Sequence, residues 1–198
     1  KKISNTLNKN YFLEGSFNII DDTYMVKTKL YNSKYGNIIS ENNYFESNIF
    51  VLADKLVKQI KIDLEIPIHY LQTTTDLPVE SITTTKEDAL NNYIKADQLW
   101  EEDNYDEAFK FFNYALEIDK YFLQAHQSLS MLKMYDLQDE SWKEHWDIIL
   151  KSIDKLTDRT KFYYKMIYYS LTGDEELYKK LAQRQVKLYP SDIEAHDN

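Results

Sequence analysis

One stretch, Ala89 to Phe122 (ALNNYIKADQLWEEDNYDEAFKFFNYALEIDKYF), constrains the fold more than any other part of the 198-residue chain. Its pattern predicts two amphipathic helices joined by a short acidic turn. Ala96, Ala108 and Ala115 are small residues set among the large Leu99, Tyr105, Phe111, Phe112, Leu116 and Ile118. Small side chains at a crossing let two helix backbones approach closely while aromatic rings fill the space on either side. A hairpin of this kind leaves one face apolar and cannot bury it alone, so it predicts further hairpins stacked against it.

The unit resembles a tetratricopeptide repeat in its 34-residue length and in its residue pattern. Ala96 sits where the first helix must pass its partner closely, and Tyr105-Asp106-Glu107-Ala108 matches the usual start of the second helix. Phe112, Ala115 and the Leu116-Glu117-Ile118-Asp119 ending also agree. Departures fall at Asn92 and Lys95, where large apolar residues are usual, and at Lys120, where proline is common. A second unit, 123–156, places Ala125, His126, Leu129 and Ser130 on the first helix. Its second helix carries Trp142, Trp146, Ile149, Ile153 and Leu156 at 3–4 spacing, with a Trp standing where Ala is expected. A third unit, 159–192, runs through Phe162, Met166, Tyr169 and the Gly173-Asp174 turn to Pro190. Lys120 and Pro190 occupy equivalent positions 70 residues apart, which leaves two extra residues for the loop near Asp136 to Glu140 or for Thr157 and Asp158. Ala195-His196 repeats Ala125-His126 and reads as the start of a fourth unit.

The resemblance implies a superhelix whose concave face is lined by the first helix of each pair and holds an extended peptide or a partner's helix. Carried over position by position, that face comprises Tyr93, Asp97, Trp100 and Glu101 in the first unit and Gln127, Met131, Met134 and Tyr135 in the second. An aromatic and methionine stripe with a few polar groups suits adaptable peptide capture. The competing reading has Trp100, Met131 and Met134 packing between repeats or against the connector, as apolar residues at helical spacing usually do.

Ahead of the repeats the period is two. Tyr11 to Ile20 reads as a strand, Asp21-Asp22-Thr23 as a turn, and Tyr24 to Tyr31 as a strand with Tyr24, Val26, Thr28 and Leu30 on one side. Lys34 to Asn37 supplies a second turn, with Gly36 able to take a positive φ, and Asn37 to Phe45 a third strand. From Ile49 the stripe Ile49, Leu52, Ala53, Leu56, Val57, Ile60 and Leu64 predicts a helix capped by Ser47 or Asn48 and stopped by Pro67. The run LEGSF, the YMVKTKLYNSKYGNIIS strand pair and the IFVLADKLVKQIKIDL helix together resemble the second half of a TolB-amino-terminal-like (FlgO-like) domain. That resemblance covers roughly Tyr11 to Leu64 and brings no catalytic residue with it. It implies a larger bacterial signalling or regulatory chain, with the first strand and helix of the domain lying upstream.

The expected fold class is therefore α+β: a small antiparallel sheet with one helix (1–66), a Thr-rich connector (67–85) and an all-α repeat region (86–198). Thr84 and Glu87 form an S/T-x-x-E capping-box pattern at the last boundary. A net charge of −9 argues against a nucleic-acid groove or an anionic membrane surface. The absence of cysteine from the sequence excludes thiolate metal sites and thiol nucleophiles and fits either cytoplasm or periplasm. His69, His126, His145 and His196 show no H-x-x-x-H spacing, and no Gly-rich phosphate loop is present, so neither metal nor cofactor is expected. The expectation is a non-enzymatic scaffold for a protein or peptide. The alternative is a homodimerising spacer for an upstream kinase, cyclase or DNA-binding domain, with a second copy closing the concave face.

Overall fold

The computed structural model describes residues 9–67 and 77–189. The fold is α+β and mostly helical, and it divides between Glu80 and Ser81 into two compact units. Much of the expected connector, and the expected fourth unit, lie outside the described residues.

The first unit is a meander of β1 (Tyr11–Ile20), β2 (Thr23–Asn32) and β3 (Ile38–Glu46), antiparallel and in that spatial order. Asp21 and Asp22 form the two-residue turn between β1 and β2, both at positive φ (47° and 57°), which matches the right-handed twist of the strands they join. In the next turn the Asn32 side chain accepts from the amides of Lys34 (3.0 Å) and Tyr35 (3.1 Å), and Gly36 takes φ 74°. Helix α1 (Ile49–Asp63) begins at Asn48, whose side-chain Oδ1 accepts from the amides of Phe50 (2.8 Å) and Val51 (3.1 Å). It lies on the face of β2 that carries Tyr24, Thr28 and Leu30, all buried, and contributes Phe50 and Leu52. At its far end Asp63 accepts from Ser40 (2.5 Å), Asn42 (2.9 Å) and Gln59 (2.7 Å), locking helix to sheet.

Two expectations change here. Phe50 belongs to the buried face, whereas Val57 is 45% exposed, because α1 covers only β2 and β3. Strand β1 is exposed along its whole length, on the face α1 shares and on the opposite face alike. The helix also ends before Pro67, with Leu64 as its cap and Glu65 at φ 53°.

Among the described residues of the second unit, six α-helices follow in three hairpins: α2 (Glu87–Glu101) with α3 (Tyr105–Ile118), α4 (Leu123–Tyr135) with α5 (Trp142–Ser152), and α6 (Asp158–Thr172) with α7 (Glu175–Leu188). Ala96 of α2 and Ala108 of α3 are wholly buried in one cluster with Phe112, and Leu129 and Leu132 of α4 close that cluster from the next hairpin. Ala89, Ala115, Phe122 and Ala125 form a second cluster at the other end of the same crossing. Trp142, Trp146, Ile149, Ile153 and Leu156 form a third with Leu123 and Tyr164 of the flanking helices. Each cluster takes side chains from more than one helix, so the core runs on from hairpin to hairpin as stacked repeats require.

The extra length in the second hairpin lies in residues 136–141, where Gln138 takes φ 53° and Asp139 accepts from the backbone and hydroxyl of Ser141 (both 2.9 Å). Gly173, at φ 71°, ends α6, and Asp174 caps α7 by accepting from the amide of Leu177 (3.1 Å). The capping box does not form. Thr84 is buried instead, donating to Asp119 (2.6 Å) and accepting from the Lys86 amide (3.1 Å), while the Lys86 ammonium donates to the Ile118 carbonyl (2.5 Å). This clasp ties the start of α2 to the end of α3, and the connector residues Val79–Ile82 form a single helical turn.

Enlarging Ala108 at the crossing should overpack it. Ala108→Leu is expected to cost about 1–3 kcal/mol, read as a lower midpoint in thermal melts followed by circular dichroism. An unchanged midpoint would mean that the crossing is not tight.

Candidate functional site

A cleft of about 740 Å³ lies between α4, α6 and α7 in the second unit. Met131 and Tyr135 enter it from the last turns of α4. From α6, Arg159, Tyr163, Met166 and Ser170 recur at helical spacing along one stripe, with Thr160, Ile167 and Leu171 on the adjacent one. Helix α7 adds Tyr178 and, two turns on, Gln185. Gln185 is 5% exposed, and its amide oxygen has no hydrogen-bond partner among the described residues. A buried acceptor without a partner costs about 1–3 kcal/mol, so this position favours a ligand that brings a donor. Tyr163 is 48% exposed at the rim, and its hydroxyl accepts from Gln127 across the hairpin boundary (3.0 Å).

The structure separates the residues expected on the concave face. Met131 and Tyr135 line the cleft, and Gln127 holds its rim. Tyr93 is half-buried between the rings of Phe112 (5.8 Å) and Phe122 (5.0 Å), with its hydroxyl 3.4 Å from Ser128. Burial pushes that phenol above its ordinary pKa. Trp100 stands edge-on to Phe112 and donates its indole N–H to Asp136 (2.8 Å), bridging the first two hairpins. Met134 packs against the Trp142–Trp146 cluster. Asp97 is half-buried and Glu101 exposed, and neither borders the cleft.

Arg159, Tyr163, Met166, Tyr178 and Gln185 were not among the expected positions, which came from the first two hairpins alone. One signal for Gln185 was present: it stands four residues after Leu181, so an amide shares a face with an apolar residue. Among the described residues the cleft lining holds no carboxylate, histidine or thiol.

A second polar arrangement lies in the core of the middle hairpin. His126 of α4 is 4% exposed, and its Nε2 meets the Lys120 carbonyl at 3.0 Å, so that nitrogen carries the proton. Its Nδ1 is therefore the acceptor for the Nδ1–H of His145 on α5, 2.9 Å away. The two rings pack 5.2 Å apart. Burial lowers the pKa of both. For His126 the Lys120 carbonyl and the Asp119 charge oppose that shift, while for His145 the charges of Lys133 and His126 add to it and Asp139 opposes it, leaving His145 at about 4. The Lys133 ammonium donates to Ser141 (2.8 Å) and lies over the Phe109 ring (5.7 Å). The pair is nineteen residues apart in sequence, so no local spacing motif could reveal it. Among the described residues no group of three or more His, Cys, Asp or Glu side chains could hold a metal ion, and no helix is long and apolar enough to cross a membrane.

Compared with protein-family models and with curated proteins, the chain matches none.

The histidine pair predicts an acid-sensitive fold. Both folded-state pKa values lie below the ordinary 6.5, so the unfolded chain binds protons first. Their contribution to stability is complete above about pH 6.5 and is lost as pH falls toward 4. The expected loss is on the order of 1–2 kcal/mol once solvent screening at the half-buried His145 is allowed for. Thermal melts at stepped pH check this, and His145→Gln should flatten the dependence in that window.

Proposed function

We propose that the chain is a non-enzymatic module that captures an extended peptide from a protein partner in the cleft between α4, α6 and α7. The observation that carries this reading is the buried, unpartnered amide oxygen of Gln185 at the cleft wall. An extended peptide presents outward-facing backbone N–H groups at regular intervals, and one of them supplies the missing donor. Met131 and Met166 give a wall that repacks around different apolar side chains, and Tyr135, Tyr163 and Tyr178 add rigid amphipathic surface. The tandem hairpins, the first with alanines at its crossing, support a scaffold of the tetratricopeptide kind. The succession of two hairpin-linked strand pairs and a helix before them supports a partial TolB-amino-terminal-like domain, and with it a place in a larger bacterial signalling or regulatory chain.

Selection from a random displayed-peptide library on the immobilised chain tests the reading. Peptides sharing an apolar anchor should be enriched. Gln185→Leu should weaken their binding by about tenfold or more, since a lost hydrogen bond to a buried group is worth roughly 1.5 kcal/mol. It should leave the fold at least as stable, because it removes an unsatisfied polar atom. Met131→Ala should also weaken binding, whereas Trp100→Phe, whose contacts with Asp136 and Phe112 lie outside the cleft, should change affinity by less than about twofold. A failure to enrich any peptide, or equal binding by Gln185→Leu, would count against the cleft.

A further inference from the structure

Among the described residues of the first unit, β1 has an outer edge that no strand covers. All ten residues of the strand are exposed. Tyr11, Phe12, Leu13, Phe17, Ile19 and Ile20 are each 41–58% accessible. Natural edge strands are usually blunted by lysines, prolines or bulges. The other edge, β3, follows that rule: it has a register irregularity opposite Leu30/Tyr31, Glu41 pairs with Lys27 (2.7 Å) and Lys29 (3.6 Å), and Glu46 pairs with Lys55. By contrast, β1 holds an unbroken register over its full length, with Glu14 as its only charge.

The direction of the free backbone groups follows from two contacts. The Asn10 carbonyl accepts from the Ser33 amide (2.9 Å), and Ile20 faces Thr23 across the two-residue turn. Even-numbered residues of β1 therefore bond to β2. The odd-numbered Tyr11, Leu13, Gly15, Phe17 and Ile19 turn N–H and C=O outward, since bonded and non-bonded positions alternate along an antiparallel pair. Their side chains lie on the α1 side of the sheet, where α1 does not reach.

We propose that β1 pairs antiparallel with β1 of a second copy of this chain about a two-fold axis at Gly15, giving a continuous six-stranded sheet. This register sets Tyr11 opposite Ile19 and Leu13 opposite Phe17, each twice, so apolar residues meet on one face. It engages all five outward-facing residues and places Glu14 opposite Ser16. Sliding by one bonding step in one direction would set Glu14 against its own copy, a like-charge clash. Sliding the other way would set Tyr11 against Asp21 in the turn. Gly15 on the axis suits a close approach of the two backbones. Half-exposed aromatic and large aliphatic side chains each leave about 100 Å² to bury. Six per copy give about 1,200 Å² for the pair, at the lower limit of a specific interface.

The chain has no cysteine, so a single introduced one reports unambiguously. Under mild oxidation Gly15→Cys should form a covalent dimer on non-reducing gels, because bonded partners lie about 5.5 Å apart, within disulfide reach. Phe17→Cys should not, since the two copies of that position are separated by about 13 Å along the strands. Sedimentation of the unaltered chain should read twice 23.7 kDa. Leu13→Lys should return it to one copy with the circular dichroism spectrum unchanged, and adding Phe17→Glu to Leu13→Lys should restore the dimer through opposed charges. A single-copy mass at tens of micromolar would overturn the proposal. So would a dimer that fails to cross-link through Gly15→Cys, or one that links equally through Phe17→Cys.

Discussion

The close crossing of α2 and α3 is the constraint on which the second unit depends. Ala96 and Ala108 have no accessible surface, and a larger side chain at either position would push the backbones apart. Their approach brings Phe112 into the gap and lets Leu129 and Leu132 reach it from α4. The clasp of Thr84, Lys86 and Asp119 holds the same pair together at its other end. From there the stack extends by substitution. Where the first hairpin uses alanine and phenylalanine, the second uses Trp142 and Trp146, and the space between helices is filled by larger rings carried on a shorter helix.

The change of filling connects the core to the cleft. In the first two hairpins the aromatic and methionine residues expected to face a ligand are largely taken up in joining one hairpin to the next. Tyr93 seals the Phe112–Phe122 contact, and Trp100 is tied to Asp136. At the third hairpin Tyr164 plays the sealing part, so Tyr163 is left at the rim, and Gln185 replaces an apolar residue at a buried position. Open space therefore lies where the packing pattern lapses, between α4, α6 and α7.

The sequence made the hairpins legible because alanine spacing and the Trp142–Leu156 stripe are consequences of helix geometry alone. The faces of β2 were legible for the same reason, through their period of two. What it hid were features that need three dimensions. Nothing local shows that α1 covers two strands and leaves the third bare. The contact of His126 with His145, and the capture of Thr84 by Asp119, join residues on separate elements and carry no spacing signature. The capping box failed because the helix begins at Glu87 with Lys86 at its N-cap, so Thr84, whose hydroxyl donates to Asp119 and accepts from the Lys86 amide, lies ahead of the first turn. The cleft was half legible: Met131 and Tyr135 came from repeat position, whereas Gln185 required knowing which face of α7 is buried.

Lys133 has a consequence beyond its own contacts. Its side chain is 12% accessible, with the ammonium anchored between the Phe109 ring, Ser141 and Asp139. Its charge is one of the forces that keep the His145 imidazole unprotonated. Acylating that single amine would withdraw the repulsion and let the imidazole accept a proton nearer to neutrality. The acid sensitivity of the middle hairpin is thus set partly by the charge of a neighbouring lysine, and a modification of that side chain would retune it without altering either histidine.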